Sequence, residues 1–166
     1  MTVYHGSVVE VRTPDVSHSK QFLDFGRGFY VTSFREQAER WARRKFLRSN
    51  PEVRATPVVN EYELLDTFDG FNILKFSEVG EEWFDFVCAC RNGDEVAQGR
   101  DAIVGRVAND DVFKTIQKFQ QGRMTKQEAI KELRYAKPND QIAFRSNAAI
   151  SACLKFLRSY QLEIRE

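Results

Sequence analysis

Apolar positions recur along the chain in two rhythms. Short runs at 2–4 and 29–32, each ending on a polar or small residue, predict strands. VVNEYELL (58–65) alternates and predicts a third strand, FNILKF (71–76) a fourth, AIVGRVA (102–108) a buried one, and QIAF (141–144) another. The helical rhythm is clearest where Phe34, Ala38, Trp41 and Ala42 fall at i, i+4, i+7 and i+8, one face of a helix. Arg35, Arg40, Arg43, Arg44 and Arg48 fall mostly on its other faces. Ser33 and Glu36 have the spacing of a capping box at its start, and Asn50-Pro51 stops it. EEWFDFVCACR (81–91) is a helix with a wide apolar face. Asn109-Asp110 caps a further helix through Gln121, with Gly122 as its stop. Thr125-x-x-Glu128 opens another that runs to about Tyr135 and is over by Pro138. Ser146 or Asn147 caps a last helix, and LKFLRSYQLEI (154–164) predicts a strand closing the sheet. Strands and helices are interspersed without a regular βαβ alternation, so the fold class is α+β.

Between the first two strands, RTPDVSHSKQFLDFGRG (12–28) reads as irregular loop, rich in Ser, Pro, Asp and Gly. A structureless loop of that length in a compact domain is usually functional or mobile. The chain has 166 residues, 42% hydrophobic and 30% charged, which suits one globular domain over 1–166 with a real core. A net charge of +1 selects no polyanionic partner by itself. No apolar run approaches the ~20 residues of a membrane span, and MTVYHGSVVEV lacks the charged start and apolar run of a secretory leader. Cys88, Cys90 and Cys153 make an odd count, which points to core thiols in a reducing cytoplasm. His5 and His18 lie too far from them in sequence to suggest a zinc set.

Two short motifs in DFGRGFYVTS (24–33) mislead. Asp24-Phe25-Gly26 is not a kinase motif, because only 23 residues precede it and none of the other kinase elements is among them. Gly26-x-Gly28 lacks the third glycine of a dinucleotide fingerprint and is followed by a strand.

Tyr4-His5-Gly6-Ser7, then Gly26-Arg27-Gly28-Phe29-Tyr30, then the helix from Ser33 to Arg48 come in an order that resembles the NAD-binding half of diphtheria-toxin-like and poly(ADP-ribose) polymerase-type ADP-ribosyltransferases. DFGRGFYVT, QAERWA, VNEYE, GRVANDD and NDQIAF extend the likeness along nearly the whole chain, to an uncharacterised bacterial family grouped with those transferases. The resemblance implies a split antiparallel β-sheet core flanked by helices, with NAD as co-substrate. It implies that Gly6 grips the nicotinamide carboxamide and that His5 bonds a hydroxyl of the adenine-side ribose. Tyr30 would stack on the nicotinamide ring, with Trp41, on the inward helix face, as candidate for the opposite side. Ser7, Gly28, Phe29 and Ala38 complete the implied binding set. Aromatic faces suit a flat, cationic ring, and glycines admit close backbone approach.

In the polymerase-type members a glutamate on a late strand orients the nucleophile. The matching Asn139-Asp140-Gln141-Ile142-Ala143-Phe144 has none. Correspondence points to Asp140, whereas strand alternation turns Gln141 with Ala143 toward the pocket if Ile142 and Phe144 are core. Gln141 is the candidate taken here, able to bond a ribose hydroxyl but not to act as a base. Neither choice supports poly(ADP-ribose) synthesis, and transfer of a single ADP-ribose to a protein or nucleic acid is the leading expectation. Small stand-alone members of this class are often bacterial toxins held by an antitoxin partner. An NAD glycohydrolase and a non-catalytic NAD- or ADP-ribose-binding module are the alternatives.

Overall fold

A computed structural model describes residues 1–65, 68–106, 110–134 and 139–164. In chain order they form β1 (Thr2–Ser7), β2 (Phe29–Val31), α1 (Arg35–Leu47), β3 (Val58–Leu64), β4 (Ile73–Lys75) and α2 (Glu81–Asn92). There follow β5 (Ala102–Gly105), α3 (Asp110–Gln120), α4 (Lys126–Arg134), β6 (Gln141–Phe144), α5 (Asn147–Cys153) and β7 (Leu154–Gln161). The class is α+β. The strands form two sheets, β1-β3-β7 and β2-β6-β5-β4. The first is antiparallel throughout, but β4 and β5 run parallel, so the second is mixed rather than wholly antiparallel.

Strand alternation sorts the side chains into three layers. Val3, Tyr62 and Phe156 are partners on one face of the first sheet, and Phe29, Phe144 and Ala102 on one face of the second. These faces share a core with α5, closed by Ile150 and Cys153. Gly6, Val59 and Tyr160 line the other face of the first sheet, which α1 covers with Ala38 and Ala42. Tyr30, Ala143 and Ile103 line the other face of the second, packed against Trp83, Phe84, Val87, Ile130 and Leu133 of α2 and α4.

The helix ends show which local signals hold. Thr125 and Glu128 form their capping box, the Thr125 N–H donating to Glu128 Oε2 at 2.8 Å. Ser146 rather than Asn147 caps α5 through the Ala149 N–H at 3.2 Å. Gly122 (φ +69°) ends the α3 run, with Arg123 N–H returning to the Lys118 carbonyl. The capping box expected at Ser33 does not form. Phe34 stands at the N-cap of α1 without a side-chain cap, because Asp140 captures both the Ser33 N–H (2.8 Å) and its hydroxyl.

Other boundaries move. β4 covers only 73–75 of the predicted 71–76, and β5 ends at Gly105. β7 stops at Gln161 and, among the described residues, pairs only with β3, so it edges the sheet rather than closing it. The predicted cap at Asn109 and the end of α4 at Tyr135–Pro138 lie outside the described residues. The 12–28 segment holds a short 3-10 turn at Val16–His18, then enters the core: Phe25 is fully buried and Asp24 nearly so. No helix among the described residues is long and apolar enough to cross a membrane.

Candidate functional site: the wedge between the two sheets

Among the described residues, the backbones of the two sheets are hydrogen-bonded to each other at one residue pair. Tyr4 N–H donates to Thr32 O at 2.8 Å, and Thr32 N–H to Tyr4 O at 3.0 Å, after which β1 and β2 separate. Peptide groups alternate sides along an antiparallel strand. Because Tyr4 turns its groups toward β2, Gly6, two residues on, turns its N–H and C=O the same way, away from β3. The partner a continued ladder would offer is the Tyr30 carbonyl. It is taken instead by His5, whose Nδ1 lies 2.7 Å away.

That contact sets the chemistry of His5. A carbonyl only accepts, so Nδ1 carries the proton and Nε2 presents its lone pair. The ring is stacked on Phe29 at 4.3 Å between centroids, and Lys45 Nζ from α1 approaches Nε2 at 3.4 Å. Loss of hydration, helped by the Lys45 charge and opposed by the Tyr30 carbonyl, pushes the imidazole down to about 3 from its ordinary 6.5. His5 is a neutral, oriented hydrogen-bond acceptor. Between those two values the unfolded chain holds a proton that the folded chain does not. His5 therefore contributes stability in full above pH 6.5 and loses it as pH falls toward 3. Thermal melts at stepped pH should show wild type taking up roughly one more proton on unfolding near pH 5 than His5→Gln does. Parallel melting curves in the two proteins would contradict this assignment.

Alternation places Gly6, Tyr4, Thr32 and Tyr30 on a common face, the one that α1 crosses at Gly6. Tyr30 and Trp41 are both half-buried, Tyr30 with its ring packed against the α2–α4 core and Trp41 on α1 beside Gly6. The Tyr30 ring is fixed by its hydroxyl, which donates to Gly26 O at 2.6 Å and accepts from Phe25 N–H at 3.0 Å. Burial, with the Asp24 charge nearby, raises that phenol well above its ordinary range, so it stays protonated. Trp41 and Lys45 are four residues apart, on one stripe of α1. Since Lys45 reaches His5, that stripe faces the wedge.

Several residues expected to touch a ligand have other duties. Ala38 is fully buried beneath Gly6 and touches only protein. Phe29 is core, stacked on the His5 ring and in edge-to-face contact with Tyr62. The missing side chain of Gly6 makes room for the α1 backbone, since an added Cβ would overlap the Ala38 carbonyl oxygen. That of Gly28 makes room for Phe144 O, 2.7 Å from such an atom, and its N–H is held by Ser19 Oγ at 2.8 Å. Ser7 ends β1 at 7% exposure, opposite Val58.

The third position also needs correction. Gln141 does share a face with Ala143, but Asp24 and Phe25 lie over it. Gln141 is 2% exposed, and its amide donates to Asp24 Oδ2 at 3.1 Å and Arg106 O at 3.3 Å. Asp140 instead stitches β6 to the start of α1, accepting from Thr32 Oγ1 at 2.9 Å and from Ser33. Both side chains are engaged by protein.

Lys45 and Lys20 escaped the sequence reading. Lys45 sits at i+4 from Trp41, a spacing that gains meaning only once that stripe of α1 is known to face the wedge, and Lys20 lies in the preceding loop. Burial and the nearby Lys20 charge lower the Lys45 ammonium to about 8. The cysteines carry no chemistry here: Cys90 and Cys153 are buried, and burial raises Cys88 and Cys90 to about 11.

No curated protein and no solved structure matches the chain. A family model matches residues 1–156, and the chain thus belongs to the DUF3990 family, described as proteins of unknown function.

Proposed function

We propose that the protein transfers a single ADP-ribose from NAD to an intracellular protein or nucleic acid, releasing nicotinamide. The observation that carries this reading is the wedge itself: a neutral His5 bonded across to the Tyr30 carbonyl with Nε2 presented, Gly6 peptide groups turned outward, and Trp41 on α1 beside Gly6. Such a set suits a flat amide-bearing ring joined to a hydroxylated, anionic chain. By the resemblance, nicotinamide would lie between Tyr30 and Trp41 with its carboxamide on Gly6, and a ribose hydroxyl would donate to His5 Nε2. The pyridinium–ribose bond then breaks with its electron pair leaving on nicotinamide, and the cationic ribose carbon is taken by a nucleophile of the acceptor. The proposed role of the protein as a bacterial toxin or defence effector, held by an antitoxin, rests on the resemblance alone.

A second reading has its own support. With Asp140 and Gln141 engaged by protein, neither is placed to activate an acceptor. That favours water as the acceptor, giving an NAD glycohydrolase, or binding of NAD without turnover. Incubation with NAD labelled in its adenylate half, with and without cell lysate, separates the three. Label on a macromolecule supports transfer, free ADP-ribose alone supports hydrolysis, and bound intact NAD supports the binding module. Trp41→Ala should weaken NAD binding by about tenfold or more, the value of a stacking and cation–π contact. Unchanged affinity in that variant would remove Trp41 from the site.

A further inference from the structure

We propose that Lys20 and Lys45 form an anion subsite at the wedge that takes the diphosphate of the dinucleotide. The inference rests on the NAD reading of the wedge for the identity of its ligand, though the subsite can be tested without it.

Lys45 brings its ammonium to 3.4 Å from His5 Nε2, a neutral acceptor rather than a carboxylate. Lys20 follows Ser19, whose hydroxyl accepts the Gly28 N–H at 2.8 Å and so ties this part of the loop beside β2. The charge of Lys20 bears on Lys45. Among the described residues neither lysine enters an ion pair, although α1 carries acidic side chains that pair with its arginines at Arg35–Glu39 and Arg40–Glu36. Lys45 is thus a cation set over a neutral acceptor, with Lys20 next to the Ser19 anchor beside β2, and cations left without a counter-charge are stabilised by an anion.

The geometry also sets an order of contacts. Nε2 can accept from only one donor along its lone pair. A ribose hydroxyl that takes this place displaces the Lys45 ammonium, which then has the phosphate of that ribose a few bonds away. His5 and Lys45 would thus read adjacent parts of one nucleotide, the hydroxyl and the phosphate. Neither lysine is a catalytic residue; both hold the ADP-ribose half of NAD, from which nicotinamide departs.

The test is calorimetric titration with inorganic pyrophosphate, ADP, adenosine and NAD at fixed low salt. The proteins are wild type, Lys45→Met, Lys45→Arg and the Lys20→Met/Lys45→Met double variant, each checked for an unchanged melting temperature. Lys20 is exposed, and Lys45 keeps part of its surface exposed although its ammonium is desolvated beside His5, so the variants should fold. Wild type should bind pyrophosphate and ADP, and each lysine lost should cost about tenfold in affinity for both. Adenosine affinity should stay within about twofold, and Lys45→Arg should retain most of the ADP affinity. The subsite is overturned if wild type ignores pyrophosphate, or if the double variant binds ADP as tightly as wild type. Failure of the broader reading looks different: lysine-dependent pyrophosphate binding with no NAD binding would keep the anion subsite and remove NAD.

Discussion

Gly6→Ala should destabilise the protein by roughly 3 kcal/mol or more, the upper range for overpacking a rigid site. For a chain of this size that is a fall of roughly 6–12 °C in Tm. The added Cβ would overlap the Ala38 carbonyl oxygen and stand 2.6 Å from Ala42 N and 2.9 Å from Trp41 Cβ. Two of these are backbone atoms of α1, which no rotamer change can move. The helix would have to lift off β1, uncovering Val59 and carrying Trp41 and Lys45 away from the wedge. Gly80→Ala is a suitable comparison, because its Cβ meets only the flexible Glu78 side chain at 3.4 Å. Its loss at the α2 N-cap should stay below about 1 kcal/mol. Equal melting temperatures for Gly6→Ala and wild type would mean that α1 does not pack on β1 as described.

The second large effect belongs to Asp24→Ala, expected to cost about 3–5 kcal/mol in urea unfolding, as for breaking a buried ion pair from one side. Asp24 Oδ1 accepts from Arg91 Nε at 2.9 Å and from Arg91 Nη2, and Oδ2 from the Gln141 amide. The side chains of Asp24 and Arg91 are only 9% and 16% exposed. Removing the carboxylate leaves a guanidinium and an amide facing apolar surroundings near Phe25. Replacing Arg91 by Met in the same chain should recover part of the loss, because the uncompensated charge goes with it. A single-variant cost under about 1 kcal/mol would show that the Asp24–Phe25 segment is not anchored to β6 in solution.

These two sites mark how far the fold could be read in advance. Periodicity located β1, β2, β3, β6, α1 and α2 within a few residues, because each buries one face and its pattern repeats over that face. Caps whose partners lie within one turn, at Thr125 and Ser146, were also legible. Ser33 was misread because its partner, Asp140, comes from the far end of the chain. The same physics hid Asp24 and Phe25, polar-flanked residues in a loop-like composition whose burial depends on α2 and β6. The parallel pairing of β4 with β5 left no local mark, since register between strands is a property of the assembled sheet.

At the site, alternation correctly joined Gln141 to Ala143, but not what lies over that face. His5 bonds the Tyr30 carbonyl and Trp41 stands beside Gly6 at the sheet junction, while the Tyr30 ring packs with the α2–α4 core. Phe29 and Ala38 support them from within the core. Lys45 was overlooked because a lysine on a helix rich in arginine carries no signal until its stripe is known to face the wedge.

The measurement that bears most directly on the central claim is nicotinamide release from NAD by purified protein, with cell lysate present and absent, beside His5→Gln. The glutamine can still donate to the Tyr30 carbonyl but does not offer the imidazole lone pair in the same place. Release by wild type that falls by about tenfold or more in His5→Gln, with folding intact, is the predicted result. Release that is equal in the two proteins, or no NAD bound or cleaved by either, would contradict the assignment of the wedge as an NAD site.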